Sequence, residues 1–133
     1  MGVPAALARV LMSRGNVLAS MGHLAEARSS LDRAAALCSD ERELNLSFII
    51  ESNRTYELLV SGFPEGSLER IARTVARADG AGVHSFRVSF RWHLAEAHLL
   101  GGRPDAALDV VEAGLMIATE TGVNALLESR LKA

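Results

Sequence analysis

Residues 92–119, WHLAEAHLLGGRPDAALDVVEAGLMIAT, decide how this chain folds. A helical period runs to Leu100, Gly101-Gly102-Arg103-Pro104 interrupts it, and a second helical period follows. Pro104 suits a first helical turn, where its missing N–H costs nothing, and glycine is the usual residue just past a helix end. Ala95 and Ala107 on either side of this break, with Gly102 inside it, are small enough for two antiparallel helices to approach closely.

Reading outward, the same punctuation recurs. Pro4 opens a first segment in which Leu7, Val10, Leu11, Leu18 and Met21 form one apolar stripe, ended by Gly22. Leu24, Ala27, Leu31, Ala34 and Ala35 share one face of a second segment, Leu24–Cys38, so the short link implies an αα-hairpin. Asp40 with Glu43 has the spacing of a capping box and starts a third helix near residue 41, running to about Ser61. The breaks at Gly62–Gly66 and Asp79–Gly82 bound a fourth helix over about 65–79, opened by Pro64. A fifth is expected over about 84–100, a sixth over about 104–120, and a partial seventh from Val123 to Ala133.

Gly22, Gly62 and Gly102 are spaced by 40 residues. The same offset aligns Ala27, Ser67 and Ala107; Leu31, Ile71 and Val111; Ala34, Thr74 and Gly114; and Gly15, Thr55 and Ala95. A fixed period of this length marks a helical solenoid, in which each hairpin buries its apolar face against its neighbours. The expected organisation is a single domain over 1–133, with repeats at about 4–40, 41–82 and 83–122 and a partial fourth at 123–133.

Gly15…Leu18…Gly22…Ala27…Leu31…Ala34 resembles a tetratricopeptide repeat, as does Ala95…His98…Gly102…Ala107…Val111…Gly114. The period is longer than that family's usual 34 or so and falls in the range of HEAT and armadillo repeats, although the small-residue spacing argues against those. Long helices with tetratricopeptide spacing resemble the repeats of large bacterial LuxR-type and adenylate cyclase-linked ATPase regulators. The implied fold is an all-α right-handed superhelix of three αα-hairpins plus the partial seventh helix. The implied function is a non-catalytic protein- or peptide-binding scaffold, a segment of a bacterial signal-transduction or transcriptional regulator. The alternative is a small-molecule or signalling-peptide sensor with conformational output. In such parents, ATP hydrolysis and DNA binding reside in other domains.

The resemblance places a concave groove on the first helix of each hairpin. Its expected lining is Arg9, Met12, Asn16 and Ala19, then Ile49, Ser52, Tyr56 and Leu59, then Ser89, Trp92, Glu96 and Leu99. Tyr56 and Trp92 are the only tyrosine and tryptophan, types that dominate binding hot spots, and both fall on this face. Arg14 and Arg54 coincide at the 40-residue offset within apolar stripes, where pairing with a carboxylate or reaching to the surface is expected.

No catalytic constellation emerges. His93 and His98 are five residues apart and point to different helix faces, unlike a zinc-protease pair. The glycines at 101–102 lack the lysine and hydroxyl of a P-loop, and those at 80 and 82 join two helices rather than a strand and a helix. Glu26, Asp32, Glu69, Asp109 and Glu112 read as solvent-facing. Neither cofactor nor metal is therefore expected. Cys38, the lone cysteine, reads as a small buried hydrophobe.

A net charge of −2 does not favour nucleic acid or an anionic membrane as a direct partner. Arg9 and Arg14 break any signal-peptide core, and no apolar run reaches the ~18 residues of a span, so a cytoplasmic location is expected. A fourth repeat would place its glycine about nine residues beyond Ala133, which reads as a fragment, a decayed gene or a half-repeat cap. Leu126, Leu127 and Leu131 suggest self-association through the terminal helix.

Overall fold

The computed structural model describes residues 3–38, 44–62 and 66–122. Every regular element among them is a helix: α1 Val3–Ser20, α2 Leu24–Leu37, α3 Leu44–Val60, α4 Ser67–Ala81, α5 His84–Leu100 and α6 Pro104–Thr121. The all-α architecture of helical hairpins expected from the sequence is thus the architecture found among the described residues. The capping pair at Asp40 and Glu43, the opening Pro64 and the seventh helix at 123–133 lie outside the described residues.

The chain divides into two compact units, residues 1–64 and 65–133. In the first, α1 packs on α2, α2 on α3, and α1 also touches α3. In the second, α5 packs on both α4 and α6. The division falls between the two helices of the middle repeat.

Glycine turns close the hairpins α1–α2 and α5–α6 in the same way. Gly22 adopts φ 83° and Gly102 φ 72°, left-handed values that an L side chain resists. The His23 N–H then donates to the Leu18 carbonyl at 2.9 Å, and the Gly22 N–H to that of Ala19 at 3.0 Å. Arg103 and Gly102 repeat the pattern on His98 and Leu99 at 2.9 and 3.0 Å. This pair of bonds satisfies carbonyls that the ending helix would leave open.

The repeat offset also predicts burial. Ala27, Ser67 and Ala107 are all buried, as are Ala34, Thr74 and Gly114, and Gly15, Thr55 and Ala95. The two threonines keep the pattern because their hydroxyls donate back into their own helices. Thr55 Oγ1 reaches the Glu51 carbonyl at 2.9 Å, and Thr74 Oγ1 that of Arg70 at 3.1 Å. Each then presents only its methyl to the packing. Val111 is the exception: Leu31 and Ile71 are buried, whereas Val111 is exposed.

One expectation fails outright. Of the proposed α1 stripe, Leu11 is buried and Leu18 half-buried, but Leu7, Val10 and Met21 are exposed. The buried face of α1 is instead Ala5, Ala8, Leu11 and Gly15. Ala5, Ala8 and Leu11 join Ala34, Cys38, Leu46 and Ile50 in the core of the first unit. Small side chains at this seam let the helices approach, and the bulkier residues are thereby rotated outward. Cys38 is buried in that core, as the sequence reading proposed.

Candidate functional site

A groove of about 280 Å³ opens between the helices of the first unit. From α1 it takes Asn16 with Ala19 and Ser20, which follow it one turn along the helix. From α3 it takes Asn53, Tyr56, Glu57 and Val60, again at helical spacing, and Leu31 of α2 completes the lining. Ala19 and Ser20 are short, so space remains open before the longer side chains of α3.

The polar groups here differ in how committed they are. Ser20 Oγ donates to its own helix at the Asn16 carbonyl, 3.0 Å away. Asn53 Nδ2 donates to the Ile49 carbonyl at 2.8 Å and lies 3.3 Å from Met12 Sδ. Its amide is thereby oriented. The Asn16 side chain is exposed at the groove wall, and Tyr56 presents 61% of its surface to solvent.

Glu57 is the charged member of the lining and is only 2% exposed. Burial of a carboxylate demands a partner. Arg28 of α2 supplies a two-pronged one, donating from Nε to Oε2 at 3.1 Å and from Nη2 to Oε1 at 3.0 Å. The same Nη2 donates to Ser61 Oγ at 3.1 Å. The hydrogen bond to Glu57 raises the Arg28 pKa above its ordinary value, outweighing the opposing effect of burial. The fork ties α2 to α3 beneath the groove and holds both carboxylate oxygens.

A second ionic link lies beside it. Arg54 of α3 donates to Asp32 of α2 at 2.8 Å and also pairs with Glu51. Arg14, its counterpart at the repeat offset, donates to Ser30 and lies 4.0 Å from Glu26. Both arginines are occupied by neighbouring helices, as expected for charges set in apolar stripes.

Of the residues expected to line a groove, Asn16, Ala19 and Tyr56 line this one. Met12 is half-buried against the core and supports Asn53. Arg9 and Ile49 are exposed and Ser52 and Leu59 half-buried, but none of them borders the cavity. Ser89, Trp92, Glu96 and Leu99 belong to the second unit, on α5. Trp92 is 61% exposed, its ring stacked on His93 with centroids 5.6 Å apart. Leu99 is exposed, and Ser89 and Glu96 are half-buried.

His93 is packed between Trp92 and Phe90, whose ring centroid lies 6.1 Å away. Burial lowers its pKa below the ordinary 6.5, against the pull of Glu96. Arg103 Nε donates to His98 Nδ1 at 3.2 Å. Among the described residues no three His, Cys, Asp or Glu side chains converge on a point where they could hold a metal ion. None of the described helices is long and apolar enough to cross a membrane.

Sequence reasoning missed Ser20, Leu31, Asn53, Glu57 and Val60. A faint signal was present at Glu57, an acid set among the apolar residues Leu58, Leu59 and Val60 with Tyr56 before it. Its partner lies 29 residues away, and nothing local points to Arg28.

A family model described as tetratricopeptide repeat matches residues 88–113, from within α5 across the Gly102 turn into α6. No curated protein and no solved structure matches the chain. Repeats of this kind generally serve as scaffolds for protein–protein interaction.

Proposed function

We propose that this chain is a non-catalytic scaffold that binds an extended peptide segment of a protein partner in the groove between α1 and α3. The observation that carries the reading is the exposed Asn16 amide facing, across one groove, the exposed Tyr56 ring, with the Asn53 amide oxygen beside it as a further acceptor. An amide offers a donor and an acceptor, the complement of a peptide backbone unit. A tyrosine ring adds large contact area at little entropic cost. Glu57 supports the non-catalytic reading, since both of its oxygens already accept from Arg28 and it is poorly placed to act as a base.

The resemblance noted above supports reading the scaffold as a segment of a bacterial signal-transduction or transcriptional regulator, and we propose that it acts in the cytoplasm. A small-molecule sensor is the second reading. Its groove, at about 280 Å³, sits at the lower edge of the about 300–1,000 Å³ of the clefts and cavities that drug-sized ligands usually occupy.

Selection of peptides from a random display library on the full chain tests the proposal. Selected peptides are expected to bind Tyr56→Ala and Asn16→Ala at least about tenfold more weakly, with thermal midpoints unchanged because both side chains are exposed. Trp92→Ala should leave their affinity unaltered, because Trp92 lies outside this groove. Peptides indifferent to both groove substitutions would overturn the assignment. Stabilisation by small metabolites and by no peptide would favour the sensor.

A further inference from the structure

Two helices carry apolar faces that no other described residue covers. On α1, Leu7, Val10 and Val17 are exposed, with Met21 just beyond the helix end. They occupy positions 7, 10, 17 and 21 of the alternating three-and-four spacing of a seam that packs along another helix, and Arg14, which reaches Ser30 and Glu26 of α2, holds the remaining place. On α6, Leu108, Val111 and Leu115 have the same spacing and are exposed, with Met116 beside them.

The charges on the two helices are opposite. The only charged residues of α1 are Arg9 and Arg14, and both are exposed. Those of α6 are Asp105, Asp109, Glu112 and Glu120, all exposed as well. Pairing α6 with a second α6 would set four carboxylates against four, and pairing α1 with α1 would oppose arginines. Like charges brought together at an interface are costly, whereas opposite ones speed and orient association. An apolar strip bordered by charge is also the usual anatomy of a protein interface.

We propose that copies of this chain associate head to tail, the apolar face of α6 on one copy seating on that of α1 on the next. The contact joins two different surfaces, so one copy can engage one neighbour through α1 and another through α6. Until such an assembly closes into a ring, each added copy leaves one α1 face and one α6 face free, and copies go on adding beyond two. This inference is independent of what the groove binds, and it differs from association through residues 123–133.

Sedimentation velocity on the full chain, from micromolar to near-millimolar concentration, tests it. The mean mass is expected to climb past that of a dimer as concentration rises and to fall as salt is added. Val17→Glu removes the α1 face and Leu115→Glu the α6 face, and each variant alone should sediment as a monomer. Mixed in equal amounts, they should form a species of two chains and nothing larger, since one intact face of each kind remains. Circular dichroism checks that each variant is folded; Val10→Glu and Leu108→Glu replace any that is not. A wild type that stays monomeric throughout overturns the proposal, and so does a single variant that still dimerises alone or a folded mixture that stays monomeric.

Discussion

A methyl group added at Gly15 would lie 2.8 Å from Leu31 Cγ and 3.2 Å from the Ala27 carbonyl oxygen. The second contact is with backbone, so α1 and α2 would have to shift. At Gly114 the same methyl would meet Arg91 Cβ at 3.7 Å, an ordinary contact. Both glycines are buried within helices, and in the sequence they read alike, as small residues at matched repeat positions. Opposite outcomes are expected. Gly15→Ala should destabilise by about 1–3 kcal/mol, because overpacking exceeds the helix-propensity gain. Gly114→Ala should stabilise by up to about 1 kcal/mol, because alanine removes backbone freedom from the unfolded chain without strain. Urea midpoints compared at constant slope would measure both, and equal signs would show the seam to be more compliant than its geometry implies.

Between elements, α4 and α5 are joined by a single carboxylate shared between two arginines. Asp79 Oδ1 accepts from Arg87 Nε at 2.9 Å and from Arg91 Nη1 at 2.7 Å, while Oδ2 accepts from Arg91 Nη2 at 2.7 Å. Foremost the hydrogen bonds from Arg91, then those from Arg87, pull the Asp79 pKa from 3.8 down to about 2, against desolvation. A depressed carboxylate pKa contributes stability that is fully present above the ordinary value and is lost as pH falls through the folded one. The stability gap between wild type and Asp79→Asn is therefore expected to be roughly 1 kcal/mol at neutral pH, reduced for solvent screening of a partly exposed pair. It should shrink as pH drops from about 4 to about 2. A gap that does not change with pH would mean the arginines are held by something other than this charge. The helix ends were legible at this scale: the glycines with φ between 68° and 83° at 22, 82, 102 and 122 each follow a helix the periodicity had outlined. The ion pairs were not legible, because nothing near Asp79 or Glu57 in the chain names the arginine it will meet.

At the level of the whole molecule, a net charge of −2 creates no long-range attraction to polyanions. The described helices also include none able to span a bilayer. The chain is therefore expected to stay in the supernatant when centrifuged with phosphatidylserine vesicles at physiological salt; salt-sensitive pelleting would reveal a basic face that the overall charge hides. What the sequence determined by itself was the set of helices, their glycine turns and the 40-residue recurrence of buried small residues. Such signals act within a turn or two of backbone, through capping bonds, φ preference and side-chain period. Which face each helix turns inward was decided by tertiary packing. Alanines 5 and 8 went to the core and Leu7 and Val10 to the surface, because close approach of α1 to its neighbours favours small residues over merely apolar ones. The candidate groove followed from the same choice. Asn16 and Tyr56 were among the residues that the family resemblance assigned to a groove, but Asn53 and Glu57 join them only through the rotation of α3 against α1 and α2, a quantity that no local stretch of residues specifies.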